Sequence, residues 1–154
     1  MTAPSVNMVA DWFLSRVDRE AGDAITHLKL QKLLYFAQAW YLANKGKPLF
    51  AAKFQAWAHG PVVREIYDRF KGQGWAGLEA PEQPPKLGKA TVDYLEQVFG
   101  IYGKFGAKHL EELTHQHAPW VEARGGIDPA ARCETVISEE SMRDYYGKKI
   151  GKTW

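Results

Sequence analysis

Apolar side chains recur every three to four residues along much of the chain, which predicts a mainly helical protein. The first such stretch begins after Ser5, a favourable N-cap residue, and runs to about Arg19. In the second, from about His27 to Asn44, leucines, aromatics and alanines occupy nearly every face, and Gly46 follows as a stop signal. The pattern therefore predicts a surface helix followed by a central, buried helix.

After this helix the pattern changes. Two short apolar pieces within residues 48–57 are too brief for helices and precede the breaker pair Gly60 and Pro61, so we expect a small hairpin here. Proline is favoured at the first position of a helix, which predicts a third helix that starts at Pro61. Glu65 and Arg69 are spaced to pair on its outer face.

The second half of the chain predicts shorter elements around one long loop. Four glycines and three prolines make residues 72–88 a flexible surface loop. Beyond it we expect helices at about 90–103 and 107–115, a helical turn that starts at Pro119, a short strand at 135–137, and a last helix capped by Ser138. The predicted fold class is α+β and predominantly α-helical, with about six helices and a small β-hairpin or short strands.

Bulk composition indicates one globular domain. A chain of 154 residues that is 45% hydrophobic suits a single domain over 1–154, with a core at about 5–147 and a basic tail at 148–154. Twenty basic and 18 acidic residues give a charge of +2, which favours neither nucleic acid nor a membrane as partner. The single cysteine, Cys133, and the lack of a signal peptide or a long apolar stretch favour the cytoplasm.

Candidate catalytic and metal-binding groups do not assemble into a known constellation. His115 and His117 point apart on a helix, and no second ligand pair completes a metal site. Cys133 is expected to be a small buried hydrophobe, and the neighbouring acids Glu111 and Glu112 are expected to face solvent. We therefore expect no metal, no cofactor and no enzymatic activity.

The sequence gives weaker signals for binding residues. Gln31, Tyr35 and Gln38 form a polar-tipped stripe on the apolar second helix, either hydrogen-bonded inside the core or offered to a partner protein. Trp75, in the glycine-rich and proline-rich loop, is a candidate partner anchor, whereas Trp40 and Trp57 are expected in the core.

Three blocks together resemble a known family. They are LKLQKLLYFAQAWYL at 28–42, PLF through FQAWAHGPVVREIYDRFK at 48–71, and LEELTHQHAPWVEAR at 110–124. Their order and spacing resemble the SocA-like antitoxins, also called Panacea domains. The motif positions, which we interpret as mainly structural, are Lys29, Leu30, Gln31, Lys32, Tyr35, Trp57, Gly60, Pro61, Tyr67, Thr114, His115, Pro119 and Trp120.

The resemblance implies a function. Members of this family in bacteria and phages neutralise a cognate toxin by direct protein contact, and the toxin is typically encoded beside them. The resemblance also permits an alternative, a proteolytic adaptor that delivers the bound toxin to an ATP-dependent protease such as ClpXP. It does not indicate which toxin is bound.

Overall fold

The computed structural model describes residues 3–18, 23–73 and 77–150. Within them lie seven α-helices, a short 3-10 turn and a small antiparallel sheet, so the expected α+β, mainly helical class is confirmed. In chain order the elements are α1 (Val6–Arg16), α2 (His27–Lys45), β1 (Phe54–Trp57), β2 (Gly60–Val63), α3 (Arg64–Phe70), the 3-10 turn (Lys71–Gln73), α4 (Lys89–Tyr102), α5 (Ala107–Gln116), α6 (Ala118–Arg124), β3 (Val136–Ile137) and α7 (Glu139–Gly147).

Helix α2 is the centre of the molecule, as its apolar pattern predicts. Its first turn is capped by Thr26, whose hydroxyl accepts a hydrogen bond from the Lys29 amide at 3.2 Å. It ends at Gly46, which has a left-handed backbone with φ of 73°. Every residue from 30 to 40 is buried, because α1, α4, α5, α7 and the sheet all pack around it.

Aromatic side chains fill the space between α2, α4 and α7. The rings of Phe36 and Tyr102 stack with centroids 4.1 Å apart, and Trp40 Nε1 donates to the Tyr102 hydroxyl at 2.7 Å. Tyr146 of α7 packs edge-on against Trp40 at 5.1 Å. Trp40 is 1% exposed, so its predicted place in the core is confirmed.

The sheet has the order β2-β1-β3, and all its strands are antiparallel. The hairpin is confirmed, but the position predicted for Pro61 is wrong: Pro61 lies in β2, opposite Ala56, and the helix starts at Arg64. Proline is tolerated there because β2 is an edge strand and need not donate on its outer side. The strand predicted at 135–137 is present as Val136–Ile137 and pairs with β1.

The expected ion pair within α3 is replaced by contacts to α1. Glu65 accepts from the Asn7 amide, while Arg69 donates to Asn7 and forms an ion pair with Asp11. Both α3 side chains therefore attach this helix to α1.

The described part of the 72–88 loop has one anchor in the core. Leu78 is 2% exposed and its amide donates to the Ile25 carbonyl at 2.8 Å, beside a bridge between Thr26 and Gly77. The flexibility expected for the rest of the loop stays a prediction. No helix in the described ranges is both long and apolar enough to span a bilayer.

Candidate functional site

The polar stripe on α2 binds the chain's own backbone. Gln31 Oε1 accepts from the Val63 amide at 2.9 Å and its Nε2 donates to the Val63 carbonyl at 3.2 Å. Gln38 does the same further along the helix: its Oε1 accepts from the amides of Leu49 and Phe50, and its Nε2 donates to the Phe50 carbonyl. Both glutamines are 1% exposed, so neither side chain can touch a partner in this conformation.

Tyr35 belongs to the same buried network. It is fully buried, and its hydroxyl accepts from Tyr146 at 3.2 Å. His117 Nδ1 lies 2.8 Å from the Tyr146 hydroxyl, and burial of the imidazole lowers the pKa of His117 to about 4. Of the two alternatives for Gln31, Tyr35 and Gln38, the structure thus favours the hydrogen-bonded core over the partner surface.

A second polar cluster lies where α2 meets the hairpin and α5. Lys32 is fully buried and donates to the Pro61 carbonyl at 3.3 Å, and burial lowers the pKa of its amine to about 7. Gly60 lies directly over this lysine: a β-carbon there would be 2.5 Å from Lys32 Cε and 2.9 Å from Thr114 Oγ1. Thr114 in turn donates to the Glu111 carbonyl at 2.8 Å.

Glu111 closes the cluster, and the expectation that it faces solvent is wrong. Its carboxylate is buried, and His59 Nδ1 lies 2.6 Å from Oε1 while Lys108 donates to Oε2 at 3.0 Å. Burial raises the pKa of Glu111, but the hydrogen bonds from His59 and Lys108 outweigh burial and hold that pKa below its ordinary value. The side chains of His59 and Lys108 are both mostly exposed, so they cover the carboxylate from the solvent side.

The LTHxxxPW block at the junction of α5 and α6 packs against the end of the hairpin. His115 stacks on the Trp120 ring with centroids 4.0 Å apart, and Trp120 Nε1 donates to the Trp57 carbonyl at 2.8 Å. Pro119 is buried in the first turn of α6, where its missing amide costs nothing. These residues attach α6 to the end of β1.

The other motif lysine, Lys29, is also hydrogen-bonded within the chain. Lys29 donates to the Gly103 carbonyl at 2.6 Å and so joins α2 to the end of α4. Leu30 is fully buried. His115 and His117 bind different neighbours, and no group of three metal-ligating side chains occurs among the residues that the structure describes.

A cleft lies beside the hairpin, and we call it the Trp57 cleft. It has a volume of about 410 Å³ and runs between the hairpin and α3 on one side and residues 130–134 on the other. Its lining residues are Trp57, Ala58, His59, Arg64, Tyr67, Ala130, Arg132, Cys133 and Glu134.

Aromatic and charged side chains meet in this cleft. Trp57 and Tyr67 pack edge-on with ring centroids 4.8 Å apart, and the Arg64 guanidinium lies 5.6 Å from the Trp57 ring. Arg64 also donates to Glu134 at 2.9 Å across the cleft. Trp57 is only partly buried, so the prediction that it belongs to the core is wrong: its ring lies in the cleft wall.

Arg124 holds the far wall of the cleft in place. Its guanidinium is buried and donates to the carbonyls of Ala56, Asp128 and Ala131 at 2.6–2.8 Å, with a longer contact to Pro129. No carboxylate within the described ranges lies within ion-pair distance of it. Trp75, the other candidate anchor, lies outside the described residues.

Comparison with known proteins settles the family. The family described as "Antitoxin SocA-like, Panacea domain" matches residues 30–121, which is more than half of the chain. The chain belongs to the SocA-like, Panacea-domain family. Antitoxin SocA of Caulobacter vibrioides (strain NA1000 / CB15N) is 33% identical to it over 110 residues, which cover 62% of this chain and 58% of that protein. No solved structure matches.

The Panacea-domain match covers only one wall of the Trp57 cleft. Trp57, Arg64 and Tyr67 lie within residues 30–121, whereas Arg132 and Glu134 lie beyond them. Sequence reasoning missed Arg64, Arg124 and the 130–134 wall, because only the fold brings these distant segments together. Arg124 and Arg132 are eight residues apart in a stretch without hydrophobic periodicity, so local sequence gives no signal for them.

Proposed function

We propose that this chain is an antitoxin that neutralises a cognate toxin protein by direct binding in the cytoplasm. The observation that carries the proposal is membership of the SocA-like family over residues 30–121, together with the relative named Antitoxin SocA. The match spans only 58% of that relative, so the role of the whole relative is transferred here as a proposal.

The geometry supports binding over catalysis. Lys32, with its lowered pKa, is the kind of group that enzymes use, but it is fully buried beneath Gly60 and no substrate reaches it in this conformation. Gln31, Gln38 and Trp120 are bonded to the chain's own backbone. These three side chains therefore maintain the scaffold, and a partner must be recognised by the residues that the scaffold displays.

The test is co-expression with the protein encoded beside this chain. That protein should arrest growth when expressed alone, and the wild-type chain should restore growth and co-purify with it. Ile66→Asp, which places a charge at a fully buried position, is the matched folding-defective control and should do neither. Continued arrest despite a well-folded wild-type chain, or rescue without association, would reject neutralisation by binding.

The same purified pair tests the adaptor alternative, which stays a prediction. If the chain is a sequestering antitoxin, the partner remains intact when ClpXP and ATP are added. Degradation of the partner only when chain and protease are both present would instead favour the adaptor.

A further inference from the structure

We propose that the Trp57 cleft binds an acidic segment of the partner protein, one carboxylate of which replaces Glu134 between Arg64 and Arg132. The inference rests on the proposed function only in taking the partner to be a toxin. It adds where that partner binds and the chemistry that the cleft recognises.

The cleft has an excess of positive charge. Arg64 and Arg132 share the single carboxylate of Glu134, at 2.9 and 3.3 Å. Asp68 lies 3.8 Å from Arg64 but also forms an ion pair with Lys71 at 3.7 Å. Behind the wall, buried Arg124 adds a third guanidinium, whose partners among the described residues are carbonyl groups and the Trp120 ring. An approaching anion therefore meets a positive field with few competing acids.

Glu134 is held weakly enough to be displaced. Its side chain is 43% exposed, and its partners Arg64 and Arg132 are 50% and 84% exposed. Ion pairs this exposed contribute little to stability, because water solvates both groups well. A carboxylate of a docked partner can therefore replace Glu134 as the ion-pair partner of the two guanidinium groups, with little loss of interaction energy.

The aromatic wall provides apolar contact area in addition to the charged groups. Trp57 and Tyr67 form a partly exposed edge-on pair, and Arg64 lies against the Trp57 ring. Tryptophan, tyrosine and arginine are the residues most enriched at the energetic centres of protein interfaces. A partner segment with an acidic residue next to an apolar one would contact both the two arginines and the Trp57–Tyr67 ring pair.

The strand arrangement points to an extended segment. Residues 129–131 form a turn, and residues 132–134 lead through Thr135 into β3, where the Thr135 carbonyl accepts from the Ala56 amide at 2.8 Å. An extended peptide can lie along the 132–134 part of this wall, beside the sheet, with alternate side chains directed into the cleft.

The probe is a phage-displayed library of random linear peptides, screened against the full chain, so no toxin need be known. Enriched peptides should combine at least two Asp or Glu residues with an aromatic or leucine. Arg64→Glu and Arg132→Glu should each weaken their binding at least about tenfold, and added salt should weaken it further. Arg143→Glu, on α7 and outside the cleft, is the matched control and should leave binding unchanged.

Charge exchange makes the test specific. Replacing the acids of the best peptide by lysine should abolish binding to the wild-type chain and restore it to the Arg64→Glu, Arg132→Glu double variant. Trp57→Ala should weaken binding without changing its salt dependence, because it removes contact area and no charge. All variants are first checked for wild-type thermal unfolding, so that loss of fold is not mistaken for loss of charge.

The failing outcomes are distinct from failure of the proposed function. Enriched peptides that are neutral or basic, or that bind Arg64→Glu as well as wild type, overturn the inference. Binding of a DNA duplex with the same arginine dependence would reassign the cleft to phosphate. In the growth assay, rescue by wild type and equally by the double variant rejects the cleft but keeps the antitoxin, whereas no rescue by wild type rejects the antitoxin.

Discussion

The α-carbon of Gly60 faces the side chain of Lys32 so closely that a β-carbon on it would lie 2.5 Å from Lys32 Cε. Gly60 also has a φ of 105°, which side chains rarely permit. The lysine, the hairpin and α5 therefore meet at a point where only glycine fits.

Gly60→Ala should lower the free energy of unfolding by at least about 3 kcal/mol, since it adds backbone strain and a clash with buried groups. Urea unfolding followed by circular dichroism measures it. Gly126→Ala is the matched control, because Gly126 has a φ of 85° but open space around it. Strain alone should cost that variant about 1 to 2 kcal/mol, and equal losses in both would refute the contact with Lys32.

Gln31→Leu should lower the free energy of unfolding by about 2 to 5 kcal/mol, because the buried amide and carbonyl of Val63 lose their hydrogen bonds to the Gln31 side chain. Chemical denaturation is again the measurement. Gln97→Leu, on an exposed face of α4, should change stability by no more than about 0.5 kcal/mol. A Gln31 variant as stable as the Gln97 variant would show that the Val63 contacts contribute little.

Lys32 should make stability rise with pH. Its pKa is about 7 in the folded chain and ordinarily 10.5, so between these values the unfolded chain binds a proton that the native chain does not. The free energy of unfolding should therefore increase across this window, by up to about 1.4 kcal/mol per pH unit, and the gain should be absent below its lower end. Denaturant titrations at several pH values within the window measure the slope.

Lys32→Met is the comparison for that slope, because it keeps the length of the side chain and removes the proton. The variant should lose most of the pH dependence in the window. Parallel curves for both proteins would mean that the amine stays charged in the fold.

Arg124→Met should free residues 128–131 from β1, since the guanidinium holds three of their carbonyls. Amide hydrogen exchange should become faster in 128–134 than elsewhere, and stability should fall by about 2 to 4 kcal/mol. Arg124→Lys keeps the charge but has no fork of donors, so it should restore part of the stability and little of the protection. Unchanged exchange in this segment would remove Arg124 from its role in the cleft wall.

Local patterns predict the helices of this chain well and its long-range contacts poorly. Ser5, Gly46 and Ser138 mark helix ends in the sequence because capping depends on neighbouring residues alone. The sequence pattern wrongly predicts a helix start at Pro61, because a proline within β2 is tolerated only at a sheet edge, and pairing across the sheet decides which strand is the edge.

The contacts of the candidate site are also long-range, and local sequence patterns do not predict them. Nothing near Glu111 in the sequence indicates that His59, 52 residues earlier, covers its carboxylate. The Trp57 cleft likewise needs α3 and residues 130–134 to meet, and an ion pair between Arg64 and Glu134 has no periodic signature. Helix positions follow from local sequence, whereas the cleft proposed to bind the partner arises from tertiary structure.

The pairing of β1 with β3 also has a consequence for biosynthesis. Ala56 and Thr135 are hydrogen-bonded although 79 residues separate them, and α7, which packs along α2, follows immediately. A ribosome that has released the hairpin must still make more than a third of the chain before the sheet gains its third strand. The far wall of the cleft therefore forms well after the hairpin, and the partner binding proposed for the cleft has to wait until that wall is made.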